Sequence, residues 1–201
     1  MAAKPTAHID RPLALLIAIL VVGGCLIFAS AAFGLLARGT AGMSSVVFNH
    51  LVLGVGAGLV ALIITCSIDY HRWQKYAPHL FAIAVIATLL VFVPHIGAAH
   101  GGGRRWIMLA HVSFQPSEAL KLGAIMIASM YFTVMRSKIT TVQYGIGGLL
   151  AILGLPVLLL VAQPDLGTLG VICASVVAIF WTAGARIREI LLLACVALLA
   201  I

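Results

Sequence analysis

One short stretch of this chain carries most of its chemically useful side chains. Gly101-Gly-Gly-Arg104-Arg105-Trp106 is followed by Phe114-Gln115-Pro-Ser117-Glu118 and then Lys121. Glycines permit close backbone approach, and arginine binds phosphate bidentately. The run is not a Walker loop, because the Gly-Lys-Ser/Thr ending and its strand–helix setting are missing. Glu118 and Lys121 stand three apart, so on a helix they share a face. Lys121 would lie about 7 Å inside the start of that helix, at roughly 1.5 Å per residue. There it can snorkel to water or, with the neighbouring carboxylate and arginines, line a polar pocket. Trp106 reads equally as an interfacial anchor or as part of that pocket.

A second stretch has the same form. Gln163-Pro164-Asp165-Leu166 resembles Gln115-Pro116-Ser117-Glu118, and both open an apolar run. In each the proline suits the first helical position, where its missing N–H costs nothing. The polar residues after it would sit on the positive end of the helix dipole. Two capped helices satisfy this pattern, and so do two helix N-termini aimed into one cavity, where anions bind readily. Asp165 is accounted for by capping alone. His95, His100 and His111 share one loop, but their spacing matches no helical ligand pair, and no metal ligands are assigned.

These residues need a scaffold, and the composition says which kind. Hydrophobic residues make up 63% of the 201 and charged residues 8%, against about 25% charged in an ordinary soluble domain. A spanning helix needs about 20 apolar residues. Such runs occupy residues 12–36, 48–67, 78–94, 116–135, 144–162 and 166–183, and a further one begins near 190. The expected fold is therefore an all-α, polytopic transmembrane helix bundle forming a single membrane domain over 1–201. It would have six complete helices and the start of a seventh. A chain that stops within a span reads as the N-terminal part of a longer protein. The first run is too long, and lacks the cleavage pattern, for a removed signal peptide.

The net charge of +7 does not point to nucleic acid, because the cations are spread by loop. Lys4, Arg11, Arg72, Lys75, Arg136, Lys138, Arg186 and Arg188 all fall on one side if the runs alternate across the bilayer. The positive-inside rule then makes the N-terminus cytoplasmic, along with loops 67–76, 136–143 and 184–189. Arg104 and Arg105 break the rule, which directs attention to an external anionic partner. Trp73 and Tyr76 suit interfacial anchoring. Cys25, Cys66, Cys173 and Cys195 lie within apolar runs and read as small buried hydrophobes. Gly54 and Gly58 form a GxxxG that would allow close helix approach.

In order and content these motifs resemble the SEDS family of membrane proteins (FtsW, RodA, SpoVE). The resemblance covers nearly the whole chain. It rests on Ile68-Asp-Tyr-His-Arg72-Trp73, on Gly103-Arg-Arg-Trp-Ile107 with Ser113-Phe-Gln-Pro-Ser-Glu118 and Lys121, and on Ala162-Gln-Pro-Asp-Leu-Gly-Thr168. Arg-Arg-Trp-Ile leans towards the FtsW branch. Ala110-His111-Val112 departs from the family's usual residues there.

The resemblance implies a bacterial inner-membrane protein of about ten spanning helices. It implies an inverting glycosyltransferase that polymerises lipid II, a polyprenyl-pyrophosphate-linked disaccharide-pentapeptide, into septal peptidoglycan during cell division. It further implies a divalent cation (Mg or Mn), no organic cofactor, a class B penicillin-binding protein as partner, and other division proteins. By motif position Arg104, Arg105, Trp106, Gln115, Ser117, Glu118, Lys121 and Asp165 would contact substrate. The family's important aspartate lies in a later external loop, so no catalytic base is assigned here, and this stretch alone is expected to be inactive. A lipid II flippase or a non-catalytic scaffold are the competing functions.

Overall fold

A computed structural model describes residues 10–37, 54–94, 97–100, 103–109 and 112–190. The expectations for Lys4, His95, His111, Cys195 and the run from 190 onward fall wholly or largely outside these residues. The chain divides into two compact units at Ser67.

In the first unit, α1 spans Arg11–Ala37 and α2 spans Ala57–Ser67, with a π-helical turn at residues 54–56 leading into α2. Residues 11–34 of α1 include an 18-residue stretch of mean hydropathy 2.8 and suffice to cross a bilayer. The few hydroxyls of α2 are satisfied inside the helix, as a lipid setting demands. Thr65 donates to Ala61 O at 2.8 Å, and Ser67 donates to Ile63 O at 2.7 Å. A Cβ placed on Gly58 would meet no atom within 4 Å, so the described residues make no close approach there.

The second unit holds α3 (Tyr70–Leu90), β1 (Gly97–His100), β2 (Gly103–Leu109), β3 (Val112–Phe114), α4 (Pro116–Val134), α5 (Ile146–Ala162) and α6 (Leu166–Thr182). α4 is central and packs against α3, α5 and α6. Its buried stripe is Leu120, Ala124, Ala128 and Phe132, four apart each time, which keeps one face turned inward. Ile172, Val176 and Phe180 form the matching stripe on α6. The rings of Phe132 and Phe180 close the far end at 5.1 Å between centroids. α4 and α5 approach where Gly148 faces Tyr131. A Cβ there would fall 2.2 Å from the ring, and Tyr131 Oη donates to Tyr144 O at 3.1 Å.

Three features differ from the sequence expectation. The third helix starts at Tyr70, eight residues before the apolar run at 78, so residues 70–76 are helix and not loop. Asp69 caps it, and Pro78 is carried inside it. The loop before α4 folds as an antiparallel meander, β1-β2-β3, a small extended element within a helical protein. Pro116 does take the first helical position of α4, but Pro164 precedes the cap of α6, because Asp165 is itself the N-cap.

The end of α6 is closed by Gly184 at φ +107°. Its N–H donates to Trp181 O at 3.0 Å, and that of Ala185 donates to Phe180 O at 3.3 Å. These two bonds form a Schellman motif, which takes up carbonyls a helix end would leave free.

Candidate functional site: a carboxylate between two helix starts

The Gln115-Pro and Gln163-Pro segments meet. α4 and α6 start side by side, and the Asp165 side chain, 8% exposed, lies between them. Its Oδ1 accepts from the backbone N–H of Thr168 at 3.3 Å, the capping bond of α6. Its Oδ2 accepts from Gln115 Nε2 at 3.0 Å and Ser117 Oγ at 3.3 Å, both from the start of α4. Gln115 is the N-cap residue of α4 but makes no capping bond of its own, so its amide is free to reach across. Two positive helix ends therefore hold an anion, and that anion is the protein's own carboxylate.

Arg105 completes this junction. Its Nε donates to Gln163 O at 3.2 Å, its Nη2 donates to Pro164 O, and its Nη1 stands 3.9 Å from Asp165 Oδ1. The two carbonyls lie in the break between α5 and α6, where no following helical N–H reaches them. Sequence reasoning passed over Gln163, which is 2% exposed. Its Nε2 donates to Thr88 O in α3 at 3.1 Å, so one residue ties α3 to the junction. A glutamine fixed between a helix end and a proline was the available signal.

The remaining expected residues lie around this centre. Glu118 and Lys121 pair with each other at 2.8 Å, on side chains 54% and 25% exposed. They share a face as expected, and no ion pair joins Lys121 to Asp165 among the described residues. Arg104 is exposed, and Trp106 is half-buried on β2 opposite Ala98. No group of three or more metal-ligating side chains forms among the described residues.

The basic residues Arg72, Lys75, Arg136, Lys138, Arg186 and Arg188 sit at the other end of the second unit. They lie at or beyond the start of α3 and the ends of α4 and α6.

An apolar α-helical bundle with one polar centre at a helix-start end defines an integral, polytopic membrane protein. The chain belongs to the cell cycle protein family of FtsW, RodA and SpoVE, whose pattern it matches over residues 11–201. It is 34% identical over 125 residues to the probable peptidoglycan glycosyltransferase FtsW of Burkholderia thailandensis, covering 62% of this chain and 27% of that one. It is 31% identical over 147 residues to the stage V sporulation protein E of Bacillus subtilis, covering 73% and 40%. The chain thus spans well under half the length of these relatives. The crystal structure of the rod shape determining protein RodA of Thermus thermophilus superposes with a TM-score of 0.69 at 24% identity. That match covers 98% of this chain and 61% of RodA. A structure described as the coordination of polymerization and crosslinking by a peptidoglycan synthase complex gives a TM-score of 0.63 at 24% identity, covering 89% and 52%.

Proposed function

We propose that the whole protein is a peptidoglycan glycosyltransferase that polymerises lipid II for the septal wall. Family membership and the names of the matched relatives support this. The observation that carries it within this chain is the gathering of Arg104, Arg105, Gln115, Ser117, Glu118, Lys121 and Asp165 at one end of an otherwise apolar bundle. A pyrophosphate leaving group gains negative charge as the glycosidic bond breaks, and fixed cations stabilise that change. The polyprenyl tail would lie along apolar helix faces. The acceptor hydroxyl needs a base, which we assign to none of these residues.

The matched synthase complex supports a transpeptidase partner, which we take to be a class B penicillin-binding protein within the division machinery. We further propose a single membrane domain in the bacterial inner membrane, with the basic end and the N-terminus in the cytoplasm. The positive-inside rule supports this orientation. Single cysteines at positions 8, 71 and 140 should resist an impermeant label in intact cells, and their labelling would reject it.

The function is tested with Lys121→Ala in the full-length protein, supplied with labelled lipid II in vesicles. Polymerisation should fall at least about tenfold, roughly 1.4 kcal/mol of transition-state stabilisation, with membrane insertion unchanged. A wild-type protein that moves lipid II across the bilayer without forming glycan is a flippase. One that does neither is a scaffold.

A further inference from the structure

Arg104 and Arg105 are neighbours in sequence, and both were expected to meet substrate. The structure separates them. In the β1–β2 ladder Ala98 pairs with Trp106 and Ala99 with Arg104, so Arg105 has no partner in β1. It is the extra residue of a β-bulge, a device that re-aims a side chain.

Its guanidinium is already engaged on three acceptors: Gln163 O, Pro164 O and, more distantly, Asp165 Oδ1. A planar fork of donors matches such a set, and an ammonium does not. The acceptors come from the α5–α6 break and the cap of α6, 58 to 60 residues later in the chain. The Arg104 side chain, by contrast, is exposed and has no hydrogen-bond or ion-pair partner among the described residues.

We propose that the two arginines divide by role. Arg105 is a positioning residue that fastens the Asp165 carboxylate and the α5–α6 break to the sheet. Arg104 is the cation that meets the anionic phosphate group of the lipid substrate. The part given to Arg104 rests on the polymerase function. The part given to Arg105 stands on the geometry alone.

The test uses full-length protein in lipid nanodiscs, with lipid II polymerisation and thermal melting as readouts. Arg104→Ala should raise KM about tenfold, the loss of one good phosphate contact, and leave the melting temperature in place. Arg105→Lys should lower kcat about tenfold with KM near wild type, and lower the melting temperature. Arg105→Gln, which lacks both the charge and the fork, should melt no higher than Arg105→Lys. Because Arg105 acts through Asp165, adding Asp165→Asn to Arg105→Lys should cost far less than the sum of the two changes, in kcat and in melting.

An Arg105→Lys variant that raises KM alone and melts like wild type would return Arg105 to the substrate and overturn the division. Strict additivity with Asp165→Asn would break the link to the carboxylate. An Arg104→Ala variant with unchanged KM would remove Arg104 from the substrate. A wild-type protein that polymerises nothing overturns the polymerase function, while the melting of the Arg105 variants still decides the positioning role.

Discussion

Two aspartates in this chain begin helices, and they are held very differently. Asp69 caps α3 with its side chain 61% exposed. Its Oδ1 accepts from the His71 N–H at 2.9 Å and lies 2.7 Å from His71 Nδ1, so all its partners are two residues away. Asp165 caps α6 with its side chain 8% exposed, and it gathers Gln115, Ser117 and Arg105 from 48 to 60 residues away. Both cap their own helix, Asp69 at the N–H two residues on and Asp165 at the N–H three residues on. What differs is what stands where water would be. At Asp69 the second oxygen is left to solvent. At Asp165 it joins a neighbouring helix, so the same cap becomes a tertiary fastening. An exposed cap tolerates any short acceptor, whereas a buried one leaves its donors stranded when removed.

The largest expected effect follows from that contrast. Asp165→Ala strands donors from α4, α6 and Arg105 in a buried place and should destabilise the protein by about 3 kcal/mol. Asp165→Asn keeps an oxygen for Thr168 but turns an amide toward the donors of Gln115 and Ser117, and should cost roughly half as much. In the full-length protein it should also slow polymerisation at least about tenfold. Thermal melting in detergent and lipid II turnover check both. If Asp165→Ala melts like wild type, the two aspartates are equivalent caps and the contrast fails.

The apolar runs made all six described helices legible. α4, α5 and α6 begin and end within about two residues of the runs at 116–135, 144–162 and 166–183. The start of α3 was hidden because Tyr70–Tyr76 carries charge and aromatic rings and precedes a proline. A search for apolar stretches passes over an amphipathic first turn. The meander was hidden because its strands are only three to seven residues long.

At the site, the likeness of Gln115-Pro116 to Gln163-Pro164 correctly hinted that two helix starts belong together. The sequence held no sign that Asp165 would be their shared anion. Nor did it show that Arg105 would bond to main-chain carbonyls, because a carbonyl is present at every position and no residue type marks it as free. Gln163 was missed for the same reason. Its side chain is recognised by a carbonyl of α3, not by another side chain.

Gln163 sharpens the comparison at a smaller scale. Gln163→Met keeps the length of the side chain but removes the donor to Thr88 O, which should cost about 1 kcal/mol. Gln163→Glu should be worse, since it sets a carboxylate against that carbonyl. Both are read by thermal melting. A Gln163→Met variant that melts like wild type would show that the hydrogen bond does not tie α3 to the junction.

The smallest effect belongs to Asp69, and it should be visible mainly through pH. The His71 backbone N–H, followed by the His71 ring, holds the Asp69 carboxyl below the usual carboxylate range. A depressed folded-state pKa means that the carboxylate stabilises α3 at pH values above its unfolded pKa, which is near about 4. That contribution is lost as pH falls through the lower folded value. Asp69→Asn still offers an oxygen to the His71 N–H but does not titrate. At neutral pH the wild type should therefore melt slightly above Asp69→Asn. The gap should close as the pH is lowered from about 5 to about 3. Melting curves of the two proteins across that range check it. Because Asp69 has no partner among the described residues beyond its near neighbours His71 and Arg72, its substitution should leave lipid II turnover at neutral pH as it is. A loss of turnover comparable to that of Asp165→Asn would mean that the exposed cap, too, is fastened to something beyond its own helix.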